Sequence, residues 1–356
     1  MKKSRIHSFA AIVLLSLILS ACGSAVGASS WPGIAVDQEN NAIYVAYNQH
    51  VYALDAETGR ESWRFPAESD NGVSFYAAPE LSTDGQLLIA GYDQQIYSLD
   101  PQANGRLNWQ FISASNRYIG SPAADDAGIY APNSDRSIYA LSSDGQLNWT
   151  FETQDAQWAA PVSDGARIYL PSLDHNVYAL NNQNGDLKWQ QDLEAGIVGR
   201  PALDDAGRIF VGTFGSEVVA LNSANGVIQW RSNTEGWIWG GPSYFEGTIY
   251  VSDIEGYVYA FDAERGHEIW RVSTNGAITG TPLVANDHVY VSTENGQVMS
   301  IGIDGVIQWT QTVEGQAFSS PALSGDLILI GLVEGEAILL AMDFNGNTVW
   351  SFTPQN

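Results

Sequence analysis

The chain has 356 residues, 45% of them hydrophobic, and carries 15 Lys and Arg against 40 Asp and Glu, a formal charge of −25. That length suits two or three ordinary domains, and the apolar content is ample for a large core. So acidic a surface repels phosphate backbones and anionic headgroups, and no nucleic-acid partner is expected.

Lys2, Lys3 and Arg5 make a basic start, and residues 9–19 are an apolar run of eleven. The run suits a secretory signal and is too short to span a bilayer. It ends at Leu19-Ser20-Ala21-Cys22, which holds the only cysteine of the chain, so no intrachain disulfide is expected. This stretch resembles the lipobox of bacterial lipoproteins. The resemblance implies a signal peptide over residues 1–21, cleavage before Cys22, and acylation of its thiol and usually of the new amine. Two or three acyl chains anchor stably, at roughly 0.8 kcal/mol per buried CH₂. Ordinary cleavage that leaves a free thiol is the alternative. Residues 22–30 then read as the lipidated Cys and a flexible small-residue tether, and residues 31–356 as a single body held near the membrane. Gly23, rather than Asp, after the Cys fits outer-membrane sorting of the enterobacterial kind. In a cell without an outer membrane, the outer face of the plasma membrane is expected. Cleavage leaves 12 cations against 40 carboxylates, near −28.

From residue 31 onward one pattern returns eight times. A glycine leads by four residues to a tryptophan: Gly59 to Trp63, Gly105 to Trp109, Gly145 to Trp149, Gly185 to Trp189, Gly226 to Trp230, Gly266 to Trp270, Gly305 to Trp309 and Gly346 to Trp350. Successive tryptophans lie 39 to 46 residues apart, so one structural unit is copied eight times. Each copy opens with a proline: Pro32, Pro79, Pro122, Pro161, Pro201, Pro242, Pro282 and Pro321. In the copy from Pro161, Arg167 to Leu170 and Val177 to Leu180 read as strands, Leu187-Lys188-Trp189 begins another, and Ala195 to Gly199 reads as a fourth. Gly, Asn and Asp turns join them, which predicts an antiparallel meander. A small residue recurs in one strand of every copy: Ala53, Ser98, Ala140, Ala179, Ala220, Ala260, Ser300 and Ala341. Its distance to the turn glycine varies, whereas the Gly–Trp offset does not, so the indole must dock on a set partner. Such units cannot bury a core alone. Eight four-stranded meanders without helices predict an all-β, eight-bladed β-propeller, each blade contiguous in sequence and the first packed face to face on the last.

The segments 52–63 and 259–270 resemble the pyrroloquinoline quinone (PQQ) repeat of quinoprotein propellers. In that family the tryptophan docks against a neighbouring blade, which implies that role for the eight tryptophans and glycines above. The resemblance covers residues 31–353 and speaks to fold more than to function, because the motif is a packing device. Two branches differ in what they imply. The PQQ-dependent alcohol and sugar dehydrogenases hold quinone and Ca²⁺ over the propeller centre, with long insertions and an adjacent-cysteine disulfide that this chain has no room or residues for. The lipid-anchored, eight-bladed, non-catalytic propellers of outer-membrane β-barrel assembly match in size, lipobox and tight blades.

No nucleophile elbow, phosphate loop, HExxH, CxxC or EF-hand loop is present. His50, His175, His267 and His288 fall in different copies, so no metal site is expected, and turn carboxylates such as Asp84, Asp144 and Asp304 read as turn formers. Four tryptophans stand outside the docking set: Trp31, Trp158, Trp237 and Trp239. Trp158, Trp237 and Trp239 lie just before a copy-opening proline, as do Phe75, Tyr76, Tyr118 and Phe318, with Arg117 and Arg200 in equivalent segments. Trp237 and Trp239 would point the same way on a strand. These residues are expected to rim one mouth of the central channel as a face for an extended peptide or a small planar ligand; inter-blade packing is the competing reading. The loop 66–73 departs from the repeat, as functional loops often do. The leading expectation is a membrane-tethered, non-enzymatic scaffold for envelope proteins, a monomer within a larger complex and without cofactor. A quinoprotein-type binder using PQQ with Ca²⁺, and an envelope sensor or polysaccharide-binding module, are the alternatives.

Overall fold

A computed structural model describes residues 30–355. The signal peptide, Cys22 and residues 23–29 lie outside the described residues. Thirty-two strands form eight four-stranded antiparallel sheets, each built from four strands consecutive in sequence. Blade 4 runs from an inner strand Val162–Ser163 through Arg167–Pro171 and Asn176–Asn181 to an outer strand Leu187–Asp192. The expected strand at residues 195–199 is absent, and the inner strand instead follows each proline, as in Ala202–Leu203 after Pro201. The reason is connectivity. Residues 195–199 must carry the chain from the rim of one blade to the axis of the next, so they pair with turns rather than with a strand. A single 3₁₀ turn, Pro101–Ala103, is the helical element among the described residues, capped by Asp100. Among the described residues, no helix is long and apolar enough to cross a membrane.

The two middle strands of each blade are buried on both faces because a blade stands on either side of them. Ile168, Tyr169 and Leu170 are all buried, whereas the outer strand Leu187–Asp192 faces solvent at alternate positions. The core is therefore a set of slabs between blades. Tyr169, Val177 and Ala179 pack on Ile209, Val211 and Val219 of the next blade. The closing slab sets Ile43, Val45 and Leu54 of blade 1 against Leu329, Leu339 and Ala341 of blade 8.

The repeated tryptophan organises every seam. In all eight blades it pairs across the sheet with the recurrent small residue, as Ala179 with Trp189 and Ser300 with Trp309, and a bulge follows. A small side chain there lets the indole lie over it, beside the aromatic ring of the second strand in six blades, for example Tyr169 at 5.9 Å from Trp189. The indole then reaches the turn glycine of the following blade. A Cβ on Gly185 would stand 2.6 Å from Trp149, and one on Gly59 would stand 2.4 Å from Trp350, so the last blade docks on the first. The indole N–H donates to a carbonyl in the same turn: Trp149 to Asn182 at 3.1 Å, Trp189 to Ser223 at 2.9 Å and Trp350 to Ala56 at 3.2 Å. The glycine adopts φ of +73° at Gly185, a conformation that a Cβ disfavours.

Candidate binding funnel

The crossovers from outer to inner strands share one face with the turns between second and third strands. Each crossover is pinned between two such turns. Ile238 N–H donates to the Thr213 carbonyl of its own blade, and the Trp237 carbonyl accepts from Ile254 N–H of the next. The same pair of bonds recurs at Ile197 and Phe214 and at Ile278 and Glu294. This pinning fixes the direction of every side chain relative to the proline that follows. Four residues before it the side chain is buried between blades: Phe75, Tyr118, Gln157, Ile197, Ile238, Ile278 and Ala317. Three before, it faces the axis. Two before, it must be small, since a Cβ on Gly199 would stand 2.5 Å from the Gly240 carbonyl of the adjacent crossover.

The axis-facing positions line a funnel of about 1240 Å³, with Tyr76, Ile119, Trp158, Val198, Trp239, Thr279 and Phe318 contributed by successive crossovers and Trp31 by the start of blade 1. Aromatic rings gather on two sides. Trp31 meets Tyr76 edge-on at 5.4 Å, Tyr76 meets Tyr92 at 4.8 Å, and the Arg117 guanidinium lies over Tyr92 at 4.5 Å. Across the funnel, Phe214 packs on Trp237 at 5.6 Å and on Trp239 at 5.3 Å. Trp237 is 52% exposed and Trp239 37%. Among the lining residues Arg200 is the one cation, and its Nη1 lies 3.8 Å from Glu80 Oε2, reached from blade 2. Burial pushes the Glu80 carboxyl above its usual range, and Arg200 offsets this in part. Trp158 Nε1 and Ser319 Oγ are buried at the funnel without a hydrogen-bond partner.

The expected face is thus assembled only in part. Tyr76, Trp158, Arg200, Trp237, Trp239 and Phe318 come together at the funnel. Phe75 and Tyr118 do not, since both are fully buried in the slabs between blades. They sit one residue before an axis-facing position, and a one-residue step along a pinned extended segment reverses the side chain. Arg117 is exposed and committed to Tyr92, beside the funnel rather than in its lining. Trp237 and Trp239 share a direction, with Ile238 buried between them, although the segment is not a strand. Ile119, Val198, Thr279, Tyr92 and Glu80 were not anticipated. The first three are findable from the constant offset of three to the proline.

The loop 66–73 is tied down by His50, whose Nδ1 lies 2.8 Å from the Pro66 carbonyl and whose Nε2 lies 3.0 Å from Ser69 Oγ. Turn carboxylates serve structure. Asp135, Asp174 and Asp253 accept from Tyr139, Tyr178 and Tyr259 at 2.7, 2.7 and 2.9 Å. Burial and then the Asp135 hydrogen bond push Tyr139 up to about 12. No cluster of three or more His, Cys, Asp or Glu able to hold a metal occurs among the described residues.

A closed, tryptophan-docked eight-bladed propeller with an aromatic funnel is the class of protein these features define. The chain belongs to the family described as outer membrane protein assembly factor BamB, whose profile matches residues 19–157, 47–196, 134–237 and 215–355. BamB from Moraxella catarrhalis superposes with a TM-score of 0.74 at 15% identity, over 91% of this chain and 100% of that one. The computationally designed Ika8 protein gives 0.76 at 12% identity, over 91% and 96%. Sqt1 of Saccharomyces cerevisiae gives 0.74 at 13% identity, over 92% and 96%. At those identities the likeness is one of fold. The serine/threonine-protein kinase AfsK of Streptomyces griseus is 26% identical over 124 residues, 32% of this chain. The chain spans about 15% of that kinase's length.

Proposed function

We propose that the protein is a lipid-anchored, non-enzymatic scaffold that holds protein partners together in the cell envelope during outer-membrane protein assembly. The observation that carries this reading is the family match from residue 19 to residue 355. The Leu19-Ser20-Ala21-Cys22 stretch supports the anchor, with acylated Cys22 as the only membrane attachment. Blades of about 40 residues, with no long inserted segment beyond the short loop 66–73, support a role in contact rather than in turnover. The funnel face is the recognition surface, with aromatic rings that supply large contact area at low entropic cost. No cofactor is needed for this role.

Photo-crosslinking in cells from positions 76 and 318 tests the proposal. Crosslinks to one or a few envelope proteins are expected, lost in Trp237→Ala/Trp239→Ala while the purified variant stays folded. A folded double variant with undiminished crosslinking would remove the funnel from the reading. The funnel's volume, aromatic walls and single lining cation favour one competing reading, an anionic planar ligand such as PQQ with Ca²⁺. Titration of the purified protein followed by absorbance decides it, and a saturable signal would favour the ligand.

A further inference from the structure

The throat beneath the funnel carries a chemistry of its own. The residue just before each blade-opening proline borders the axis, and all eight of these residues belong to the cavity lining. Six of them are Gly, Ala, Ser or Thr, and the large ones are Trp31 and Arg200. The inner strands begin just after the proline, and of the eight residues at that position Glu80 alone is charged. Arg200 and Glu80 are thus the two charges of the throat, and the guanidinium of blade 5 crosses the axis to meet the carboxylate of blade 2.

Their meeting is loose. Arg200 Nη1 stands 3.8 Å from Glu80 Oε2, beyond hydrogen-bond distance. A guanidinium presents a fork of N–H donors, and none of them reaches an acceptor among the described residues. Two hydroxyls of the same ring add to these donors. Gly241 N–H donates to Thr281 Oγ1 at 2.8 Å, and Thr281 N–H donates to Ser320 Oγ at 2.8 Å. Each oxygen therefore accepts, and its own proton is given to no acceptor among the described residues. Gly241 joins Arg200 to this arc, since a Cβ there would stand 2.1 Å from the Arg200 carbonyl oxygen. Below the arc the axial space continues as a cavity of about 400 Å³ beside the inner strands of blades 5 to 7. Above it stand the rings of Trp158, Trp239 and Phe318.

Free donors therefore converge at one place on a chain of charge −25. The planar fork of an arginine matches the paired oxygens of a carboxylate or phosphate. A mostly apolar wall with a few convergent polar groups is the make-up of a small-molecule site. We propose that the throat binds the oxyanion head of a small ligand, a carboxylate or phosphate monoester, whose apolar body stands among the rings above. The head takes the Arg200 fork and the Thr281 and Ser320 hydroxyls, and Glu80 is the counter-ion it displaces. The inference rests on neither the scaffold role nor the acyl anchor, which the crosslinking experiment reads separately.

The test is calorimetric titration of the full chain in the presence of a chelator, which separates this site from a quinone held through Ca²⁺. Benzoate and phenyl phosphate present the two heads, and benzamide is the neutral control. Saturable binding of at least one anion is expected, and the one that binds identifies the head. Arg200→Lys keeps the charge without the fork and should weaken binding several-fold; Arg200→Ala should weaken it at least about tenfold. Glu80→Gln removes the competing carboxylate and should tighten binding several-fold at pH 7. Benzenesulfonate, anionic throughout, serves for pH. Burial holds the Glu80 carboxyl above its usual range, so the wild type should approach the affinity of Glu80→Gln as pH falls from 7 toward 4. The other ionisable groups of the two linings are Tyr76, Tyr92, Tyr244 and Glu294; they are common to both proteins and cancel in the comparison. Absence of anion binding, equal binding of benzamide, or undiminished binding by a folded Arg200→Ala overturns the inference. Should Arg200→Ala not fold, Glu80→Gln decides, and an affinity unchanged or weakened in it at pH 7 overturns the inference.

Discussion

Trp149 shows what one residue contributes at a seam. Its indole covers Gly185, and its N–H is satisfied by the Asn182 carbonyl at 3.1 Å. A methyl group at residue 185 meets both a left-handed backbone, about 1–2 kcal/mol, and an overpacked ring, about 1–3 kcal/mol. Gly185→Ala is therefore expected to lower the urea midpoint by the equivalent of roughly 2–5 kcal/mol. Glu80 is the residue with a pH signature. Burial raises its folded pKa above the unfolded value of about 4.3. The native state then binds more protons across that interval, and stability falls as pH rises through it. Glu80→Gln should flatten this fall and leave the protein at least as stable at neutral pH, as read from urea midpoints between pH 4 and 7. The effect is small, because the side chain is 26% exposed and Arg200 offsets part of the penalty. Asp125 acts in the opposite sense. Burial opposes its ionisation, but bonds from Ser163 at 2.5 Å, Asn182 at 3.0 Å and Tyr130 at 2.9 Å hold its pKa below the usual range. Its contribution is present above the unfolded pKa and lost as pH falls through the folded one.

The crossover is the element that joins packing to recognition. Its backbone bonds to two turns decide that alternate side chains serve different ends: one locks two blades, and the next faces the axis. Tyr118→Ala, at a fully buried position, is expected to cost roughly 3–5 kcal/mol. Trp239→Ala, at a position 37% exposed, is expected to cost under about 2 kcal/mol. Urea denaturation of the two variants side by side tests the alternation. Similar losses would mean that both side chains are structural.

The ring closes without a shared strand, since every sheet takes its four strands from one contiguous stretch. Blades 8 and 1 are held by the Leu329–Leu54 slab, by Trp350 over Gly59, by Gln38 Nε2 on the Leu323 carbonyl at 3.1 Å and by Arg64 Nη1 on the Gln355 carbonyl at 3.0 Å. At every other seam the chain itself also crosses between blades. Trp350→Ala, about 2–4 kcal/mol for a half-buried indole, is therefore expected to lower amide exchange protection in blades 1 and 8 first. Trp149→Ala, with a covalent crossover beside it, should spread its loss over the whole ring. Native-state hydrogen exchange distinguishes the two patterns.

Blade number, strand type and the docking tryptophans were legible because they depend on short-range spacing: four residues from Gly185 to Trp189, a small residue opposite, and one proline per copy. Even the funnel was partly legible, since Trp158, Trp239 and Phe318 share an offset from that proline. The placement of Phe75 and Tyr118 was not, because each stands beside another large apolar side chain, Tyr76 or Ile119, and only the bonds to adjacent turns reveal which one turns inward. Nor could spacing pair Glu80 with Arg200, which stand 120 residues apart and meet only because a closed ring brings blades 2 and 5 to one axis. Local order in this protein is set by chain-neighbour geometry, which the repeat displays openly. Its recognition surface is decided by closure, which gathers residues that no local pattern connects.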